Sequence, residues 1–330
     1  MPANLTPQYL AAEERYKQAR DDREKLKALK EMLANIPKHK GTEKLQAEIK
    51  RKIAKLKDDI DTKKTKGGHR FSYGVEREGA GQAVVVGPPN VGKSLLVSSL
   101  TGTALEVADY PYTTRNCQPA MMLYEDIQIQ LVDLPPVSET FVENWMSSVI
   151  RVADLMLLVT DASRDDLLEQ MDSTLAILRG FKIIPRGMVT GDALDSVHWS
   201  QIRTVLVANK IDCPGAMDNA QILRELYGDA LEMIAVSAAN HSNLAELKYK
   251  IVQALQIVRV YSKRPGHEPD IHRPFTFPLG SSLMDFAKAV HKDFAENLKF
   301  ARVWGKNVFD GQRINRDYLL QDRDIIELHI

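Results

Sequence analysis

Apolar and polar positions change rhythm several times along this chain of 330 residues. Residues 6–34 are dense in Glu, Lys, Arg, Ala and Leu and read as a helix, which Pro37 ends. Gly41-Thr42 opens a second helix, in which Leu45, Ile49, Ile53, Leu56 and Ile60 step by four or three and mark one face to about Asp61. Together they predict a basic helical hairpin over residues 1–66. A polar stretch bearing Gly67, Gly68, Gly74, Gly79 and Gly81 predicts a linker over 67–81. From Gln82 to about Val258, short apolar runs alternate with helical stretches. Ala83–Val86, Ala120–Tyr124, Ile127–Val132, Leu155–Thr160, Thr204–Ala208 and Leu231–Val236 are the strand candidates. This alternation predicts an α/β domain over 82–258, a mostly parallel sheet with helices on both faces. Residues 259–272 are rich in Pro, His and charge and predict a second linker. Beyond it, Phe275–Phe277, the helix-like Leu283–Phe294, Ala301–Trp304 and Ile325–Ile330 predict a small strand-helix-strand module over 273–330. At roughly 60 residues such a module is marginal by itself, so it is expected to dock on the main domain or on a partner.

The run Ala83–Val86 leads directly into Gly87-Pro88-Pro89-Asn90-Val91-Gly92-Lys93-Ser94, followed by Leu95. The spacing Gly-x-x-x-x-Gly-Lys-Ser after a strand is that of a phosphate-binding loop. Gly87 and Gly92 can take backbone angles closed to other residues, and the loop then turns its N–H groups toward a polyphosphate. Lys93 supplies a mobile positive charge for the β- and γ-phosphates, and Ser94 offers a hydroxyl to Mg²⁺. A helix starting near Val91 aims its positive dipole end at the same anion. A strand before and a helix, Ser94–Leu100, after disfavour a chance match on a glycine turn.

The base is specified further on, by Asn209-Lys210-Ile211-Asp212 at the end of the run Thr204–Ala208, about 115 residues after the loop. The Asp212 carboxylate can accept both N–H groups of the guanine edge, whereas adenine would leave it mispaired. Such mispairing discriminates by on the order of 10⁴-fold in favourable sites. Asn209 is expected to tie this segment to the phosphate loop, and the Lys210 stem to cover one face of the base. Ser237-Ala238, after Leu231–Val236, is the candidate loop whose backbone meets the guanine O6.

Between these motifs, Asp109-Tyr110-Pro111-Tyr112-Thr113-Thr114-Arg115 lies where a γ-phosphate-sensing loop belongs. Thr113 or Thr114 is the candidate for Mg²⁺ and γ-phosphate, and the sequence does not choose between them. Asp133, after Ile127–Val132, is placed to hold Mg²⁺ through water. The usual continuation Asp-x-x-Gly reads Asp133-Leu134-Pro135-Pro136 here. The missing glycine amide matters, because Pro136 has no N–H to give the γ-phosphate, a loss of roughly 1.5–3 kcal/mol. Val137 follows, and no catalytic base is visible. Hydrolysis is therefore expected to be slow, at or below roughly 10⁻⁴ s⁻¹. Asn90 is a candidate to help hold K⁺ beside the phosphates, doing electrostatic work otherwise given to an arginine finger. Lys93, Asn90, Thr113 and Thr114 are thus the candidates for a role in turnover.

Charge adds one point. The chain is neutral, with 44 Lys/Arg and 44 Asp/Glu, yet residues 1–70 hold 19 Lys/Arg against 11 Asp/Glu. That arm carries a surplus of eight positive charges and the rest of the chain eight negative. A basic arm on an acidic body suggests a polyanionic partner, RNA foremost. Cys117 and Cys213 imply no disulfide framework and fit a reducing cytoplasm. The eight histidines show no zinc-type pairing; His267 and His272 come nearest and fall in the expected linker. No apolar run approaches the 18 or so residues that cross a bilayer, and the first residues, Met-Pro-Ala-Asn-Leu-Thr, do not read as a secretory signal.

On these residues the chain resembles the Obg/DRG family of GTPases, most closely its DRG-type branch. The likeness runs through Ile36–Glu43, Gly74–Gly79, the phosphate loop, Leu100–Thr103, Tyr110–Thr114, Ile127–Asp133 and Asn209–Asp212. The last module is similar to a TGS domain, a small β-grasp fold. The resemblance implies Mg²⁺-dependent binding of GTP and GDP, weak GTPase activity often stimulated by K⁺, and association with ribosomes or RNA; a protein partner is open. Two features depart from the family. Pro136 stands in place of the switch glycine, with no glycine-rich stretch after it. The segment between Asp161 and Arg203 is too short for the extra domain that eukaryotic DRG proteins insert there. A slow GTPase and a GTP-occupied scaffold that hardly hydrolyses both follow from this reading; an ATPase or nucleotide kinase is disfavoured by Asp212.

Overall fold

Helix α1 (Asp22–Asn35) belongs to the first of two units into which the chain divides, Met1–Phe71 and Ser72–Ile330. The structure, a computed structural model, describes residues 12, 15, 16, 22–36, 49, 51, 52, 75–102, 117–138, 142–188 and 199–330. In the first unit Ala12, Leu29, Met32, Ile36 and Ile49 form one small apolar cluster, and Arg15 pairs with Glu31 at 2.9 Å. The single helix expected over 6–34 is therefore not one rod. At 1.5 Å per residue, a continuous helix would hold Arg15 and Glu31 about 24 Å apart.

The second unit is built around a six-stranded sheet in the order β2-β3-β1-β4-β7-β8. Its strands are β1 (Gly81–Val86), β2 (Gln118–Tyr124), β3 (Ile127–Asp133), β4 (Leu155–Asp161), β7 (Thr204–Asn209) and β8 (Glu232–Ala235). Only the edge pair β2–β3 is antiparallel. Three of the four inner strands, β1, β4 and β7, are buried along their whole length, which is why they read as unbroken apolar runs rather than as alternation. Their side chains feed two cores. Val84, Val86, Met156, Leu158 and Leu206 pack with α3 (Asn144–Val152), α4 (Leu167–Gly180) and α5 (Ala216–Tyr227). Ala83, Val85, Leu157, Val205 and Val207 face the other way, against α2 (Lys93–Thr101) and α6 (Leu244–Leu255). On α6, Leu244, Leu247, Ile251 and Leu255 recur every three or four residues and bury one stripe. A short parallel pair, β5 (Ile183–Pro185) with β6 (Ser200–Ile202), stands apart from this sheet and gave no separate apolar signal in the sequence.

The carboxyl-terminal sheet has five strands in the order β10-β9-β13-β11-β12. They are β9 (Ile257–Lys263), β10 (Phe275–Pro278), β11 (Phe300–Trp304), β12 (Gln312–Ile314) and β13 (Asp324–His329). The expected linker over 259–272 is corrected here: as far as Lys263 it is an inner strand, parallel to β13 and antiparallel to β10. Val258 and Val260 alternate with Arg259 and Tyr261 and enter the core beside Phe286, a period-2 signal masked by the nearby charges. The helix expected over Leu283–Phe294 is two, α7 (Leu283–Val290) and α8 (Lys292–Asn297), parted by His291 in an extended conformation, whose Nδ1 accepts from the Asp293 amide.

Arg259 joins the two sheets. Its guanidinium reaches Glu125 and Asp126 (2.8 Å) in the β2–β3 turn and Asp322 (2.7 Å) of its own domain. Arg323 adds a bond to Glu125, and Tyr261 donates to Asp126 at 2.5 Å. Arg259 is 6% exposed, so a buried charge is matched by three carboxylates.

Candidate nucleotide-binding site

The phosphate loop begins where β1 ends, beyond the carboxyl edge of the parallel strands. Gly87 has to be glycine because a Cβ there would lie 2.2 Å from the Val159 carbonyl oxygen of β4. Gly92 sits at φ +87°, the left-handed region, and its missing Cβ leaves room for Asn209 Nδ2. Asn90 also takes positive φ, 64°, with its residue exposed at the rim. Helix α2 starts at Lys93, two residues later than Val91, because Gly92 forms the left-handed entry to it.

Lys93 is buried and donates from Nζ to the carbonyls of Gly87 (3.0 Å) and Pro88 (2.9 Å). Burial lowers its pKa from the ordinary lysine value, while the Asp133 carboxylate opposes that shift. Ser94 Oγ donates to Asp133 Oδ2 at 2.5 Å. The other oxygen, Asp133 Oδ1, is buried and finds no hydrogen-bond partner among the described residues. Burial raises the Asp133 pKa, against the hydrogen bond from Ser94 and the charge of Lys93. An orphaned carboxylate oxygen beside a hydroxyl is a donor set that suits a hard divalent cation.

The segment after Asp133 is bonded to the same loop. The Leu134 amide donates to Val85 O at 3.3 Å and the Val137 amide to Gly87 O at 3.0 Å, with both side chains buried. Pro135 and Pro136 are thereby held against a cleft of about 510 Å³, whose other walls include Pro89, Asn90, Lys93, Ser94 and Leu95. Thr113 and Thr114 lie outside the described residues.

Asn209 ties the loop to a second one. It is 1% exposed; Nδ2 donates to Val91 O at 2.8 Å and Oδ1 accepts from the Ala238 amide at 3.1 Å. One side chain thus binds the phosphate loop to the Ser237-Ala238 loop. Ser237 fixes that loop by accepting at Oγ from the Asn240 amide, at 3.0 Å. Lys210, at φ 66°, stretches from β7 to Asn90 O (2.7 Å) and Asp161 Oδ2 (2.6 Å). Asp212 lies in the turn that follows, exposed to solvent.

Residues 82–188 match the family model described as a 50S ribosome-binding GTPase, and residues 258–330 the TGS domain. The chain joins a P-loop GTPase domain to a TGS domain, and it is similar to DRG-type GTPases. It is 29% identical over 362 aligned positions to an uncharacterized GTP-binding protein of Methanocaldococcus jannaschii, covering 93% of this chain and 92% of that one. It is 28% identical over 365 positions to developmentally-regulated G-protein 1 of Arabidopsis thaliana, covering 92% and 90%. Both alignments are longer than the 330 residues here, so each relative carries inserted residues. The YchF GTPase of Schizosaccharomyces pombe shares the fold, at a TM-score of 0.51 and 13% identity over 77% of this chain and 99% of that one.

Two residues of this candidate site escaped the sequence reading. Asp161, at the end of β4, aims Lys210 and also accepts from the Ser163 amide (3.0 Å) and hydroxyl (2.6 Å). Burial works against its ionisation, but the bonds from Lys210 and Ser163 win and hold its pKa below the usual carboxylate range. An acid closing the apolar run Leu155–Thr160 was the available signal. Ser99 Oγ donates to Ala238 O at 3.0 Å, linking α2 to the base loop, and nothing in the sequence marked it. Among the described residues there is no cluster of three His, Cys, Asp or Glu for a metal, and no helix long and apolar enough to cross a membrane.

Proposed function

We propose that this chain is a slow, Mg²⁺-dependent GTPase that acts as a nucleotide-gated factor on the ribosome or its RNA. The observation that carries the catalytic part is the Ser94–Asp133 pair with its orphaned Oδ1, beside Lys93 at the mouth of the loop. Ser94 and Asp133 would hold the metal, with Thr114 as the remaining candidate ligand. Bound there, Mg²⁺ supplies positive charge to the β- and γ-phosphates. Lys93 leaves its two carbonyl partners for the phosphates, and Asn209 and Lys210 keep the base loops registered against the phosphate loop. Asp212 reads the guanine edge, with the amide side of Ser237-Ala238 near O6. Asn90 is the proposed partner of a K⁺ ion.

The ribosome or RNA part rests on the basic surplus of residues 1–70 and on the TGS domain, together with the family description of the GTPase model. A cytoplasmic setting follows from that partner. A second reading is a GTP-held scaffold that scarcely turns over, and one feature favours it: Pro136 lines the cleft where the switch glycine would donate an amide. Single-turnover hydrolysis of GTP decides between them, run with and without ribosomes and with K⁺ or Na⁺. Phosphate release accelerated by ribosomes supports the first reading. Release at background under every condition leaves the scaffold, and equal rates in K⁺ and Na⁺ remove the role given to Asn90.

A further inference from the structure

A second cavity, of about 340 Å³, lies at the opposite edge of the central sheet, where β1, β4 and β7 begin. Four arginines line it: Arg77 from the lead-in to β1, Arg151 from the last turn of α3, Arg186 after β5, and Arg203 before β7. Among the described residues Asp154 is the one carboxylate on its wall, paired with Arg77. Phe277 and Pro278 of the carboxyl-terminal sheet form an apolar side. By count the described lining, four arginines against one aspartate, carries a surplus of three positive charges.

Some of that charge has a structural partner. Arg203 donates to Leu255 O at 3.1 Å and Arg151 to Phe181 O, so each meets the negative carboxyl end of a helix. One bond uses one of the five donors of a guanidinium, and the rest remain. Among the described residues Arg186 is held through its backbone, its amide donating to Ile202 O at 2.7 Å, and the side chain is exposed. Concave walls with apolar sides focus such a field, and guanidinium forks match phosphoryl oxygens in pairs.

We propose that this cavity is a second anion site, separate from the phosphate loop, that takes a small molecule bearing a diphosphate group. The surplus of three positive charges matches two phosphoryl groups at about −1.5 to −2 each. Its volume falls within the range of small-ligand cavities, roughly 300–1,000 Å³. A recessed, partly apolar hollow suits a compact ligand better than the continuous track an RNA backbone needs. Its walls come from both sheets, so a bound diphosphate would bridge the GTPase domain and the TGS domain.

The test is calorimetric titration of inorganic pyrophosphate, in excess Mg²⁺, into the full chain already saturated with GDP. One pyrophosphate site is expected in the wild type. It weakens at least tenfold in Arg186→Gln and is lost in Arg77→Gln/Arg186→Gln, while GDP affinity stays within twofold. Because the Arg186 side chain is exposed and has no hydrogen-bond partner among the described residues, its substitution is expected to spare the fold. Lys93→Ala should retain the pyrophosphate site, and loss there would place the anion in the phosphate loop and overturn the proposal. It is equally overturned by no pyrophosphate heat in the wild type, by unchanged binding in the arginine variants, or by arginine-dependent capture of an RNA oligonucleotide without pyrophosphate binding.

Discussion

Asn209→Ala separates holding the site together from reading the base. Asn209 makes two bonds, to Val91 O and from the Ala238 amide, and neither partner is a nucleotide atom. Both partners are buried, Val91 at 0% and Ala238 at 2% exposure, so truncation leaves a carbonyl and an N–H without replacement. Each buried orphan costs about 1–3 kcal/mol, and the pair together about 3 kcal/mol. That loss falls on folding itself, before any ligand is present. In a domain of this size 1 kcal/mol moves the melting temperature by about 2–4 °C, so apo Asn209→Ala should melt about 6–12 °C lower. Asp212→Ala is the contrast: an exposed side chain that should melt with the wild type yet lose its preference for guanine over adenine. The assay is thermal unfolding of the apo proteins, paired with GDP and ADP affinities. An apo Asn209→Ala that melts within 2 °C of the wild type refutes the reasoning, because the bridge would then form only around the nucleotide.

Glycine substitutions test the loop geometry. Gly87→Ala must open a 2.2 Å approach to Val159 O in an inner strand and should cost about 3 kcal/mol in urea unfolding. Gly102→Ala meets nothing within 4 Å and bears only its positive φ, about 1 kcal/mol, so equal losses would contradict the close approach. Pro136→Gly restores an amide toward the γ-phosphate and should favour GTP over GDP by about 10–100-fold; an unchanged ratio means that the segment bonded through Val137 cannot use it. The Arg259 cluster predicts a pH effect. Hydrogen bonds from Arg259 and Arg323 lower the Glu125 pKa from 4.5. Burial opposes ionisation of Asp126 and Asp322, but hydrogen bonds from Tyr261 and Arg259 to the first, and from Arg259 to the second, lower both from 3.8. Their contribution is present above about pH 4 and lost as pH falls through the lowered values. Arg259→Met should therefore destabilise strongly at pH 7, with the gap to wild type closing below pH 4; a gap constant with pH contradicts the ion pairing.

The inner strands and both halves of the nucleotide motif were legible because each rests on a local rule: continuous apolar runs for strands buried on two faces, and fixed spacing for a loop that wraps phosphate. What stayed hidden depended on partners far along the chain. Strand β9 reads as a charged linker until its register with β13, more than 60 residues on, puts Val258 and Val260 inside and Arg259 among carboxylates from both domains. Asp161 looks like one more acid until β4 lies beside β7 and brings Lys210 to it. His291 interrupts an amphipathic pattern that otherwise continues across it, and α7 buries Leu283, Phe286 and Ala287 while α8 buries no residue fully.

The β2–β3 hairpin acts as a shaft. Its upper end is Asp133, bonded to Ser94, and its lower end is the Glu125-Asp126 turn gripped by Arg259. Seven residues of β3 span about 20 Å, with rigid ladder bonds along the way. Pivoting such a rod by about 5° displaces its far tip by nearly 2 Å, enough to rupture or remake ion pairs at the grip. A displacement of Asp133 would thus be passed along one strand to the Arg259 grip, and linkage makes any such coupling reciprocal in free energy.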